Sequence, residues 1–115
     1  MIIIKYPAYP IVIATSNNTF VLDKPYQVEN VRIPAHYESD GLTLKIRLFR
    51  LIVSKYAPKF MPFFFIHDYL CDKEKYILAD NLGQKVLFDI EKSFRTKTMI
   101  FLVRKYHKIK YGVQS

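Results

Sequence analysis

Tryptophan is absent from this chain, cysteine occurs once, at Cys71, and no apolar run is long. A single thiol cannot close an internal disulfide, which excludes a small disulfide-stapled secreted scaffold. The opening Met1-Ile2-Ile3-Ile4-Lys5 is too short for the core of a signal peptide and stops at Pro7. No stretch reaches the roughly 20 apolar residues of a membrane span. The expectation is therefore a protein with no signal peptide and no transmembrane segment, in a reducing compartment. Internal repeats and low-complexity tracts are missing as well, which excludes solenoids and disordered tails.

What is present is aromatic and basic. Nine Tyr and nine Phe among 115 residues, with 50% hydrophobic and 24% charged residues, describe a globular chain with an aromatic interior. The length suits one domain with one core. The net charge of +8 raises the question of nucleic acid. Most Lys and Arg are scattered, but Arg104-Lys105-Tyr106-His107-Lys108-Ile109-Lys110-Tyr111 interleaves bases with aromatics. Arg104, Lys105, Lys108 and Lys110 are accordingly candidate binding residues that could lie on phosphate, against the plainer reading of a solvated basic end.

Taken in order, Ile2 to Tyr6 and Ile11 to Thr15 are β-branched runs separated by prolines, Thr19 to Leu22 follows a turn cluster, and Tyr26 to Ile33 keeps a two-residue period across an interruption at Asn30. The period then changes. Ser39 or Asp40 would cap a helix from about Leu42 to Ala57, which Pro58 stops. Pro62 suits the first turn of a second helix. Asp72-Lys73-Glu74 breaks it, and Lys75 to about Lys92 forms a third, with Ala79, Leu82, Gly83, Val86, Leu87 and Ile90 on its apolar face. A fourth helix runs from roughly Thr96 to His107 and carries Met99, Phe101, Leu102, Val103 and Tyr106. The predicted class is α+β: a small N-terminal antiparallel β-sheet, then three to four helices including an antiparallel pair. Its parts are β-rich 1–36, helical 42–107 and a basic tail 108–115.

The sharpest chemical signal is Met61-Pro62-Phe63-Phe64-Phe65-Ile66-His67-Asp68-Tyr69-Leu70-Cys71, where an adjacent His and Asp end a strongly apolar run. An ionisable pair there is costly unless something nearby satisfies it. Phe60, Phe63, Phe64, His67 and Cys71 share a helical stripe, so His67 should face inward. Asp80 lies on the edge of the next helix's apolar face. Two helices joined by a short break pack antiparallel, which would bring Asp80 within hydrogen-bonding reach of His67. A carboxylate on one imidazole nitrogen fixes the tautomer and readies the other as a general base or metal ligand. His67 and Asp80 are thus candidate catalytic residues. Asp68 and Asp40 are candidate metal ligands for a hard divalent cation, Ca²⁺ or Mg²⁺. The competing reading is a structural His–Asp hydrogen bond between two helices. Cys71, four residues after His67, adds a less favoured thiol nucleophile.

Pro34-Ala35-His36-Tyr37-Glu38-Ser39-Asp40-Gly41-Leu42-Thr43, then His67-Asp68-Tyr69-Leu70-Cys71, Ala79-Asp80 and Val103-Arg104, resemble the ordered signature of a bacteriophage and prophage protein family of unknown function. Its members read Pro-x-Gly-Phe-x-Thr-Asp-Gly-Ala-Ser, His-Asp-x-Leu-Tyr, Ala-Asp and Val-Arg, and the likeness covers about residues 20 to 105. The chain departs from that pattern with His36 for the Gly, Ser39 for the Thr, Leu42-Thr43 for Ala-Ser and Cys71 for the Tyr. The resemblance implies a phage origin, with host cytoplasm or virion as the location and a phage structural or host protein as partner. It implies no reaction. In constellation, though not by homology, His67, Asp68 and Asp80 are also similar to secreted phospholipases, where a helical His-Asp pair supplies the base and a Ca²⁺ ligand.

Three readings follow. One is a small hydrolase-like enzyme in which His67 is the base, Asp80 orients it, and Asp68 with Asp40 holds a cation or the polar end of a substrate. Another is a non-catalytic component, a tail or baseplate piece or a modulator of a host protein, whose His/Asp cluster is structural. The third, ranked below them, is a nucleic-acid binder acting through the basic tail.

Overall fold

The computed structural model describes residues 2–15, 19–39 and 58–112. Six short strands come first: β1 (Ile4–Lys5), β2 (Val12–Ala14), β3 (Phe20–Leu22), β4 (Tyr26–Val28), β5 (Val31–Ile33) and β6 (Glu38–Ser39). A single 3-10 turn, Pro58–Phe60, then leads into three helices: α1 (Met61–Asp72), α2 (Tyr76–Ile90) and α3 (Phe94–Tyr111). The class is α+β, as the change of period predicts. The expected helix from Leu42 to Ala57 lies outside the described residues.

The strands form two three-stranded sheets, β1-β4-β5 and β2-β3-β6. One expectation changes here, because β1 runs parallel to β4, with Ile4 opposite Tyr26, while the other pairs are antiparallel. Strands of two or three residues carry too little pattern to fix their partners, so long-range packing decides the pairing. The interruption at Asn30 is a two-residue hairpin turn, Glu29-Asn30, with Glu29 at φ 52° and Val28 facing Val31. Ser39, one of the two residues expected to cap that helix, is the buried end of β6 opposite Phe20. Phe20, Leu22, Tyr26, Val28 and Ile33 turn inward and form the sheet side of the core.

α1 is the central helix. Nine of its twelve residues are buried, including Phe63, Phe64, Phe65 and Ile66 at consecutive positions. It therefore needs cover on every side, and receives it from α2 on one flank and β5 and β6 on the other. Phe is an ordinary helix former at best, so burial at about 1.5–3 kcal/mol per large side chain outweighs propensity. Pro62 sits in the first turn, where its missing N–H costs nothing.

α1 ends in a Schellman corner. The Glu74 N–H donates to the Cys71 carbonyl at 2.9 Å and the Lys75 N–H to the Leu70 carbonyl at 2.9 Å, with Glu74 in the left-handed region at φ 59°. That corner turns the chain back so that α2 packs against α1. Gly83 permits the close approach, since a Cβ there would lie 3.0 Å from the Phe63 ring and 3.2 Å from the His67 ring. On α2 the buried residues are Ala79, Asp80, Leu82, Gly83, Val86 and Leu87, while Asn81, Lys85 and Asp89 are exposed, as the 100° spacing predicts.

At the second corner Glu91 accepts from Lys59 Nζ at 2.5 Å, from Ser93 Oγ, and from Arg95 Nε and Nη2 at 2.7 and 2.9 Å. Ser93 then starts α3 with a capping box: its hydroxyl accepts from the Thr96 N–H, and its own N–H donates to Thr96 Oγ1 at 3.0 Å. α3 closes at Gly112, φ 69°. Residues 108–111, expected as tail, are the last turn of this helix. No helix among the described residues is long and apolar enough to cross a membrane.

Two outcomes follow. A non-glycine residue in the left-handed region carries about 1 kcal/mol of strain, and Glu74 is exposed. Glu74→Gly should therefore stabilise the protein by about 0.5–1 kcal/mol, measured as a higher urea midpoint. Separately, the Arg95, Lys59 and Ser93 donors hold the Glu91 carboxyl well below its ordinary value of 4.5. A depressed carboxylate contributes stability above the unfolded-state value and loses it as pH falls toward the folded one. The thermal midpoint of wild type should exceed that of Glu91→Gln at pH 6, and the two should converge as pH drops below 4.5. High salt should narrow the gap, because the site is near the surface.

Candidate functional site

Counting from the Glu74 corner, His67 lies seven residues upstream on α1 and Asp80 six downstream on α2. The two therefore stand at matching heights on facing helices. They meet: His67 Nε2 is 2.9 Å from Asp80 Oδ1, and both side chains are fully buried. A second imidazole arrives from α3. His107 Nδ1 lies 2.9 Å from Asp80 Oδ1 and 3.0 Å from Oδ2. One carboxylate thus serves two imidazoles contributed by two different helices.

The protonation pattern follows from this geometry. Burial pushes the Asp80 carboxyl upward, but hydrogen bonds from His107 and His67 outweigh it and hold the group down at about 2. Asp80 is therefore an anion at neutral pH and can only accept. His67 Nε2 and His107 Nδ1 must each carry the hydrogen they donate. The opposite nitrogens, His67 Nδ1 and His107 Nε2, both turn toward Cys71 Sγ, at 3.6 and 3.5 Å. Cys71 lies one helical turn after His67 on the same face and is partly exposed. The imidazole rings stack, with centroids 5.2 Å apart and planes within 5°. Phe63 leans on His67 at 5.4 Å and Tyr76 on His107 at 5.2 Å.

The other candidate residues are placed elsewhere. Asp68, one step round α1, faces the sheet and accepts from Ser39 Oγ at 2.5 Å, with both residues buried. Asp40 lies outside the described residues. Among those described, the side chains grouped closely enough to hold a metal ion are His67, Cys71 and His107, a softer set than the carboxylates expected for Ca²⁺ or Mg²⁺. Arg104 ties α3 to α2 by donating to Asn81 Oδ1 at 3.0 Å and Gln84 Oε1 at 2.8 Å. Lys105, Lys108 and Lys110 are exposed. Lys105 lies over the Phe101 ring at 5.7 Å and Lys110 over Tyr106 at 5.5 Å. Phe101, Arg104, Lys105, Lys108 and Ile109 together line one surface hollow on α3.

His107 is the residue that sequence reasoning missed, read only as part of the basic and aromatic run 104–111. Its signal was the buried stripe Thr96, Met99, Ile100, Val103, His107, which keeps three-and-four spacing to the end.

Removing the Asp80 charge should cost about 3 kcal/mol or more, because an amide in its place keeps one acceptor oxygen for two buried imidazole N–H groups and turns an NH2 donor toward them. The checking measurement is chemical denaturation of Asp80→Asn beside Lys85→Gln. The latter breaks only the exposed Lys85–Glu29 pair at 3.1 Å and should stay within about 0.5 kcal/mol of wild type.

No family model, curated protein or solved structure matches the chain. The chemistry of the cluster is therefore read from its own geometry.

Proposed function

We propose that this chain is a small phage-type component that works by binding rather than by catalysis. In this reading the His67–Asp80–His107 cluster is a clasp that fixes three helices, and the outer face of α3 meets a protein partner. The observation that supports it is the saturation of Asp80. Both of its oxygens lie within hydrogen-bond distance of buried imidazoles, and His67, Asp80 and His107 are at most 2% exposed. A general base must come within about 2.6–3.2 Å of the proton it takes; one nitrogen of each ring is committed to Asp80, and the opposite ones, turned toward Cys71, belong to rings at most 2% exposed. The phage assignment rests on the ordered motif resemblance at residues 34–43, 67–71, 79–80 and 103–104.

The partner face is the solvent side of α3. Phe94, Phe101 and Ile109 are 85%, 61% and 75% exposed, and Lys97, Lys105 and Lys108 lie between them. Exposed aromatics ringed by cations suit an acidic protein surface with apolar spots. Nucleic acid is the competing occupant of the same face.

A hydrolase-like reading is favoured by one specific contact. Partly exposed Cys71 stands 3.6 Å from His67 Nδ1, and the far nitrogen of that ring is held by Asp80. Thiol, imidazole and carboxylate in this order are the parts of an activated nucleophile.

One experiment separates these. Iodoacetamide labelling of Cys71 at pH 6 should be no faster than that of free cysteine run beside it, and a panel of ester and amide substrates should show no turnover. Rapid labelling at pH 6 that is lost in Asp80→Asn, together with turnover, would replace the binding reading with thiol hydrolysis. For the outer face, Phe101→Ala with Lys105→Glu should abolish incorporation into phage particles or host-protein capture. Retained DNA affinity that falls steeply with salt would move the assignment to nucleic acid.

A further inference from the structure

We propose that His67 Nδ1, Cys71 Sγ and His107 Nε2 form a binding site for one Zn²⁺ ion, with Asp80 as the carboxylate that orients both imidazoles from behind. This deepens the clasp reading and rests on it: the ion would close from one side the same three-helix junction that Asp80 closes from the other.

Distance is the first argument. The three donor atoms lie within 4.8 Å of one another, and the two nitrogen–sulfur separations are 3.6 and 3.5 Å. With zinc–nitrogen bonds of about 2.0–2.1 Å, a zinc–sulfur bond of about 2.3 Å and tetrahedral angles, an imidazole nitrogen and a thiolate sulfur on one ion stand about 3.6 Å apart. Both nitrogen–sulfur spacings on the protein already match those of co-ligands.

Tautomer is the second. A metal-binding imidazole needs its lone pair turned toward the ion, and its other N–H is usually held by a carboxylate. The Asp80 anion fixes the hydrogens on His67 Nε2 and His107 Nδ1, so the lone pairs fall on the two atoms that face Cys71. Donor class is the third. Two imidazoles and a thiolate are soft to borderline ligands, the set for zinc rather than for Ca²⁺ or Mg²⁺. Charge agrees as well, since a dication balances the Cys71 thiolate and the Asp80 carboxylate in an otherwise apolar surround. Cys71, partly exposed, gives the ion a way in. The described residues supply three of zinc's four ligands.

The test uses the full chain, stripped with chelator and titrated with zinc alone and then with Co²⁺ as a spectroscopic probe. Wild type should take up one zinc per chain, and its cobalt form should show a thiolate-to-metal charge-transfer band in the near ultraviolet. Cys71→Ala, at a partly exposed position that should tolerate truncation, should lose the band and at least tenfold in zinc affinity. Asp80→Asn should weaken affinity 10–100-fold, the usual effect of removing an outer-shell partner. Equal zinc affinity in wild type and Cys71→Ala, or a cobalt form without the thiolate band, overturns the site and leaves the sulfur contacts as ordinary thiol–imidazole hydrogen bonds. The clasp has its own readout, the thermal midpoint of Asp80→Asn in chelator. If that midpoint drops while zinc fails, the clasp stands and only the metal falls; if it does not drop, the clasp falls too.

Discussion

A carboxylate in a protein interior is tolerated only when its surroundings replace the water it gave up. Born estimates put the idealised cost near 20 kcal/mol, and several kcal/mol remain after relaxation. Asp80 meets that requirement with two imidazole N–H donors from α1 and α3, and much of the helical architecture can be read as what brings them there. The left-handed corner at Glu74 sets α2 back along α1 at the height where His67 and Asp80 face each other. Gly83 lets the helices close, with the His67 ring at the distance a methyl group would crowd. The capping box at Ser93 fixes where α3 begins, and 14 residues further on, about 21 Å along the axis, the same helix delivers His107.

The helical hairpin was legible because its information is local. A 3.6-residue period marks the inner face of α2, the polar Asp72-Lys73-Glu74 marks the break, and antiparallel packing then places Asp80 against His67. His107 was obscured by its neighbours. Arg104, Lys105, Lys108 and Lys110 made the segment read as a basic tail, although its inward stripe continues through Val103 to His107. The sheets were half legible. Runs such as Phe20–Leu22 and Tyr26–Val28 announce strands, but the parallel pairing of β1 with β4, and a strand at the polar Glu38–Ser39, depend on contacts far apart in sequence. The left-handed backbone at Glu74, inside that legible break, gave no sign, because such positions are usually read from glycine.

Asp68 shows how one residue of helical rotation divides two roles. His67 looks toward α2 and α3, while Asp68 looks toward the sheet, where Ser39 Oγ meets it. The adjacent His-Asp pair that reads as a single catalytic unit in sequence is therefore split between two interfaces of α1. Each ties that helix to a different layer: Asp68 to β6, and His67 to the helical bundle. Tyr37 reinforces the first tie by packing edge-on against Phe65 and Tyr69 and donating to Asp72 at the end of α1.

The two faces of α3 connect the buried chemistry to the surface. Inward, Thr96, Met99, Val103 and His107 set the helix against its neighbours; outward, Phe101, Lys105 and Lys108 are presented to solvent. A rigid helix cannot shift one face without the other. Arg104 braces the middle of α3 onto Asn81 and Gln84 of α2, and His107 anchors it one turn further along through Asp80. Loss of the Asp80 anchor would leave the last turn, with Lys108 and Ile109, held mainly by that bracing. The orientation of the outer face is then a consequence of the buried carboxylate and of the imidazole it holds at His107.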